Sequence, residues 1–395
     1  MQAVLSNPSH PEYGNVTIPF PIPDEEYAHC IDLLATIEIG GVRVRDCLVE
    51  GLSEAPPILE KLVGTEVNVD ELDFLARLRD SFWGDEEDKF QALGYKLGSA
   101  TVEDFINLSF CCRQATVITD FSKLEEVGKD HYLTLHGGCA PADEVNRLDG
   151  ESFAKELIAS GKGTVTPYGV VFENNFRLEP VYTGQSFPPY LDRKYMLELE
   201  YEPSPAVPEE SQAVTLFLPM PEKRLERMLE RAEFRAADDM RLGTWQTEFP
   251  QAIDDCLDVP HEDLYELNKL CAETAAMNQK MLDKLAAVAL IAKPEGAYQL
   301  RMLAKYLDQF EFVSGVTNSE EYGKYMIQES GRFDYDENLK EFYDYRSFGE
   351  QRIAWESGEF CEMGYVAYYG LADLKQLMMK KPAEQGQSGL EMGGM

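Results

Sequence analysis

Short strings from the first half of this chain return in the second at an almost constant distance. VTIPFPIP at residues 16–23 comes back as VTLFLPMP at 214–221, and LEEVGK at 124–129 as SEEYGK at 319–324. GESFAKELIASGK at 150–162 is echoed by RSFGEQRIAWESGE at 346–359, and PYGVV at 167–171 by MGYVA at 363–367. The offset stays between 195 and 198 throughout, which is the mark of a duplicated unit. The expected organisation is a first copy over 1–180, a proline-rich linker over 181–211 containing FPPY and EPSPAVPEE, and a second copy over 212–376. The Gly-rich polar tail, 377–395, is expected to be disordered.

Each copy reads as α+β, with a small β-rich opening, a helical middle and a mixed α/β end. In the second copy Asp258 is placed as a helix cap with Pro260 in the first turn, and Leu264, Leu267, Cys271 and Ala275 recur at helical spacing. Met281, Leu285 and Val288 continue as a second helix. FEFVSGV and GYVAYYG read as strands, while SEEYGKYMI and YRSFGEQRIAW read as helices starting near Ser319 and Tyr345 or Arg346.

Charge narrows the function. The 395 residues hold 71 Asp and Glu against 36 Lys and Arg, a net charge of -35, and acids outnumber bases in both copies. Such a field repels phosphates, so no direct nucleic-acid binding is expected and the partner should be basic. With 44% hydrophobic and 11% aromatic residues the chain nonetheless has the material for buried cores. No apolar run approaches the ~18 residues of a membrane span, and MQAVLSNPSHPEYG lacks the basic and apolar regions of a signal peptide, so a cytoplasmic protein is expected. Eight scattered cysteines with no CxxC read as reduced core thiols.

Catalytic and ligand motifs fail at particular residues. Asp334, Asp336 and Asn338 begin like a calcium loop, but Leu339 stands where Gly is needed and Tyr345 where a bidentate Glu is needed. GKGTVT at 161–166 lacks the GK[ST] ending of a phosphate loop. His10, His29, His131, His136 and His261 form no HExxH or Cys/His metal spacing, and no GxSxG is present. No catalytic residue, metal or cofactor is therefore expected.

What stands out instead is FDYDENLKEFYDY at 333–345, where acids alternate with enough rings to fold against a core. Tyr335, Phe342 and Tyr345 are expected to pack, leaving Asp334, Asp336, Glu337, Glu341 and Asp344 exposed together with Glu320, Glu321 and Glu350. The run Asp85, Glu86, Glu87, Asp88 supplies a second acidic surface. Duplex DNA carries one charge per roughly 1.7 Å of axis, so an excess of 35 matches about 60 Å, on the order of 18 base pairs. Carboxylates fixed on helices and strands would offer a DNA-binding protein the pattern its Lys and Arg expect.

FINLSF at 105–110, DLYELNKLCAETAAMN at 263–278, SGVTNSEEYGKYMI at 314–327 and SFGEQRIAWESGEFCEMGYV at 347–366 resemble the ArdA-type antirestriction proteins of bacterial mobile elements. The likeness covers most of the second copy and, more weakly, the first. It implies an elongated, acidic, three-domain α+β DNA mimic that occupies the DNA-binding groove of type I restriction-modification enzymes and protects incoming mobile DNA from host defence. It also implies pairing through C-terminal domains, hence a pseudo-dimer within one chain or a homodimer. The family's usual chain is one unit long, whereas this one has two. A mimic aimed at another defence nuclease, such as a CRISPR effector, and an acidic interaction scaffold that is no mimic stay open beside this reading.

Overall fold

The computed structural model describes residues 1–174, 176–191, 193–205 and 211–379. Of the tail expected to be disordered, residues 380–395 lie outside them. Among the described residues the fold is α+β, with many short helices and four sheets of three or four strands. Two compact units are formed, one from Met1–Arg193, Tyr201–Thr215 and Lys223–Arg241, the other from Lys194–Glu200, Leu216–Glu222 and Leu242–Met395.

The opening of the chain runs strand Gln2–Ser6, strand Asn15–Pro19, helix Tyr27–Thr36, strand Cys47–Ser53. The first strand lies between the other two, antiparallel to both, and Glu66–Val67 adds a short fourth strand. The same succession returns in Leu197–Pro203, Val214–Leu218, the Glu222–Arg231 helix and Met240–Thr247, again with the first strand in the middle. Leu197–Pro203 falls within 181–211, the stretch read as a spacer. It alternates as a half-buried strand must, with Leu197, Leu199 and Tyr201 buried and the glutamates between them partly exposed.

The helical middles correspond to within two residues at their ends. Val69–Asp80, Glu86–Leu97 and Val102–Cys111 are matched 195 positions on by Leu264–Ala275, Gln279–Ala292 and Ala297–Lys305. Their inward faces match too: Leu72 and Leu267, Leu75 and Leu270, Phe105 and Leu300, Leu108 and Leu303 are all fully buried. The cap expected at Asp258 belongs elsewhere. Asp258 and Pro260 form a separate 3-10 turn, Val259–His261, and the extended backbone of Glu262 breaks it from the helix, which Asp263 caps by accepting from the Glu266 amide at 2.9 Å.

Each end module is a strand, two main helices and a hairpin, with a short helical segment between the helices, Ala142–Arg147 in one and Glu337–Phe342 in the other. Thr116–Ile118, Leu124–Leu135, Gly150–Ala159, Thr164–Thr166 and Gly169–Phe172 correspond to Phe310–Ser314, Ser319–Gln328, Tyr345–Glu356, Glu359–Cys361 and Gly364–Tyr368. In both sheets the last strand sits in the middle, antiparallel to its neighbours. The two helices cross at backbone contact. A β-carbon at Gly128 would lie 1.8 Å from the carbonyl oxygen of Gly150, and one at Gly323 would lie 1.9 Å from that of Tyr345, the position 195 residues beyond Gly150. This is why the glycine persists in LEEVGK and SEEYGK.

The modules differ inside. His131 is buried, its Nδ1 3.0 Å from Thr116 Oγ1, where the other module has fully buried Met326. Burial pushes the His131 pKa below its ordinary value. The folded state therefore favours neutral imidazole, while the unfolded chain takes up a proton near pH 6.5, so this contribution to stability is complete above that pH and lost as pH falls through it. His131→Met is expected to remove that part of the acid sensitivity. Urea midpoints of parent and variant between pH 7.5 and pH 5 should draw together or cross as the parent weakens; parallel curves would mean the ring titrates alike in both states.

Candidate functional site

Not every acid of so acidic a chain is available to a partner. On the Val69–Asp80 helix Asp70, Glu71 and Asp73 are buried, facing Arg224, Arg227 and Arg231 of the Glu222–Arg231 helix, also buried. Arg227 holds Asp70 with two bonds, Nε to Oδ1 at 2.9 Å and Nη2 to Oδ2 at 2.8 Å, and also donates to the Gly40 carbonyl. Arg224 reaches Asp73 and Asp24 and stacks 4.2 Å from the Tyr27 ring centroid. Arg231 donates to the Tyr182 hydroxyl, which donates to Glu71 Oε1 at 2.9 Å. For Asp70 and Arg227 the burial is offset by forked, hydrogen-bonded geometry, and all three carboxylates are withdrawn from the surface.

The run 85–88 is half internal as well. Glu86 is buried, accepts from the Trp83 amide and pairs with Arg113, so it does not belong to the exposed face that was expected. Glu87 pairs with Arg79 at 3.1 Å and Asp85 with Lys89 at 3.2 Å, all partly or fully covered. Lys89 also meets Asp130 at 2.8 Å; against the burial that disfavours its charge, these two carboxylates keep its ammonium protonated. Among the described residues Asp88 has no such partner: burial and the nearby Asp85 raise its pKa. Asp85, Glu86, Asp88 and Lys89 border a groove of about 1090 Å³, whose other wall comes from the Leu124–Leu135 helix.

In the second unit the expected acids are exposed. Asp334, Asp336, Glu337, Glu341, Asp344, Glu320, Glu321 and Glu350 all face solvent. Several are held by local bonds. Asp336 caps the 3-10 turn Glu337–Phe342 and Asp344 caps the Tyr345–Glu356 helix, accepting from the Ser347 amide at 3.0 Å; that bond and the Ser347 hydroxyl keep the Asp344 pKa low. Glu321 accepts from the Thr317 amide and hydroxyl, which lowers its pKa, and Glu350 pairs with Arg346 at 3.1 Å. Behind them Tyr335 and Tyr345 are half-buried, both hydroxyls accepting from Gln328 Nε2.

Phe342 contradicts its expected packing, being 84% exposed. It ends a 3-10 turn, in which residues three apart eclipse, so it shares an outward edge with exposed Leu339. Phe342→Ala should accordingly move the urea midpoint by no more than about 0.5 kcal/mol of stability; a loss of several kcal/mol would place the ring in a core.

Glu125, Glu126 and Asp149 were missing from the expected set, though they stand exposed where Glu320, Glu321 and Asp344 stand in the other module. Asp149 caps its helix through the Ser152 amide at 3.0 Å, as Asp344 does through Ser347. The 195-residue repeat carried this signal, because LEEVGK and SEEYGK were already aligned.

All eight cysteines are free, and burial raises the thiol pKa of Cys111, Cys112, Cys47 and Cys271. Among the described residues no group of three His, Cys, Asp or Glu is gathered as a metal shell would be, and no helix is long and apolar enough to cross a membrane. Residues 212–367, less than half of the chain, match the model of a family described as antirestriction protein (ArdA). No curated protein matches the chain.

Proposed function

We propose that this chain is an acidic DNA mimic made of two tandem ArdA-like copies, the first within 1–180 and the second extending from the Leu197–Pro203 strand to about residue 370. It acts by occupancy, filling the DNA-binding groove of a type I restriction-modification enzyme and shielding incoming mobile DNA, with no catalytic residue, cofactor or nucleic acid of its own. The observation that carries this reading is the presence of exposed, locally braced carboxylates in both end modules, Glu125 and Asp149 in one and Glu321 and Asp344 in the other. A braced carboxylate presents its charge at a set place, which a phosphate-reading surface requires. The family match over 212–367 supports the class of target.

Preincubating a purified type I enzyme with the protein should abolish its shift of labelled duplex DNA. An enzyme–DNA complex that survives a large excess of the protein would sink the proposal. Joined in tandem, the two copies should satisfy each other as a pseudo-dimer at high effective concentration, so light scattering should give the monomer mass of 44.7 kDa. An obligate dimer of the full chain would contradict that arrangement.

A further inference from the structure

We propose that the groove in the first unit, between the start of the Glu86–Leu97 helix and the Leu124–Leu135 helix, receives an arginine side chain projected by the basic partner. The groove is a built concavity of about 1090 Å³, bordered by Asp85, Asp88, Asp120, Glu126 and Asp130, and its charge is unevenly answered. Of the cations that border it, Lys89 is 3% exposed and already shared between Asp85 and Asp130, Arg113 is engaged by Glu86, and Lys123 acts on Asp120. Asp88 and Asp130 nonetheless have raised pKa values, from burial and from the neighbouring Asp85, so an additional cation would relieve both.

Trp83 identifies the cation. It borders the groove while 85% exposed, a large apolar ring that covers no core. Such a face stacks a planar guanidinium, and carboxylates beside it accept the forked N–H pairs that an ammonium lacks. Glycines 84, 137 and 138 along the same groove set no side chain in the way. A divalent ion is a poorer match, since no three acids here converge as ligands. The owner of the arginine follows from the mimicry reading; the chemistry of the groove does not depend on it.

The test uses the full chain with Trp245→Phe and Trp355→Phe, leaving Trp83 as the one tryptophan of three. Titration with a capped hexa-arginine peptide should shift Trp83 emission saturably and bind about fivefold or more tighter than hexalysine. In anisotropy measurements with dye-labelled peptide, Asp88→Asn and Trp83→Ala should each weaken hexa-arginine by about fivefold while leaving the urea midpoint unchanged. Equal affinity for the two peptides, or losses no larger than that from Glu341→Gln in the other unit, would overturn the proposal and leave only general charge attraction. No restriction enzyme enters this assay. Variants that bind hexa-arginine like the parent refute the groove while leaving mimicry intact, and a groove that discriminates in a protein that inhibits no DNA-binding enzyme does the reverse.

Discussion

Arg227→Ala is expected to destabilise the first unit by about 3–5 kcal/mol, a large share of the total stability of a domain. The size comes from what is left behind. Asp70 is 8% exposed and takes two of its hydrogen bonds from this guanidinium, and the Gly40 carbonyl takes a third. Truncation leaves the buried carboxylate only the Tyr27 hydroxyl at 3.2 Å and the more distant Arg231 at 3.6 Å, in a chain whose net charge of -35 already opposes folding. Arg227→Met combined with Asp70→Leu should recover much of the loss, because an apolar pair of similar volume asks for no desolvated charge. Urea titration of the three proteins gives the comparison. A cost below about 1 kcal/mol for the single variant would mean that the arginine is solvated and that the pair is an ordinary surface bridge.

Neutralising Glu320, Asp334, Glu337 and Glu341 together is expected to do the opposite. All four are exposed and none is a helix cap, so changing them to Gln or Asn removes like-charge repulsion and stability should hold or rise. Affinity for the target should fall. If each carboxylate meets a Lys or Arg, losing it costs roughly two- to tenfold, so four together weaken inhibition on the order of 10². The dependence of the residual affinity on salt should flatten as well, since fewer charges take part. Unchanged inhibition by a folded quadruple variant would remove these residues from the mimetic surface.

The likeness of LEEVGK and SEEYGK was legible because a helix crossing at backbone contact tolerates only glycine, which both strings keep, at Gly128 and Gly323. The α+β class and the exposed acids of 320–350 followed from local pattern and stand as read. Other features depend on partners far along the chain. In EKRLERMLER the burial of all three arginines follows only from the placement of the Val69–Asp80 helix, with Asp70 and Asp73, against it. Glu86 looked like one more surface acid until Arg113 closed over it. The alternation in LELEYEP was visible in residues 197–203, but the prolines after it drew that stretch into a spacer. Phe342 was misplaced because ring content was taken for core content, whereas a 3-10 turn of three residues per turn decides which ring faces inward.

Whether the protein stands in for DNA is tested most directly by competition. A fixed amount of type I enzyme is titrated with the protein at rising concentrations of unlabelled duplex, at low and at moderate salt. The account predicts that the apparent inhibition constant rises in proportion to duplex concentration and that affinity drops steeply with ionic strength, since both ligands claim one groove by charge. An inhibition constant that stays the same however much duplex is added would contradict it, because the protein would then be acting somewhere DNA does not go.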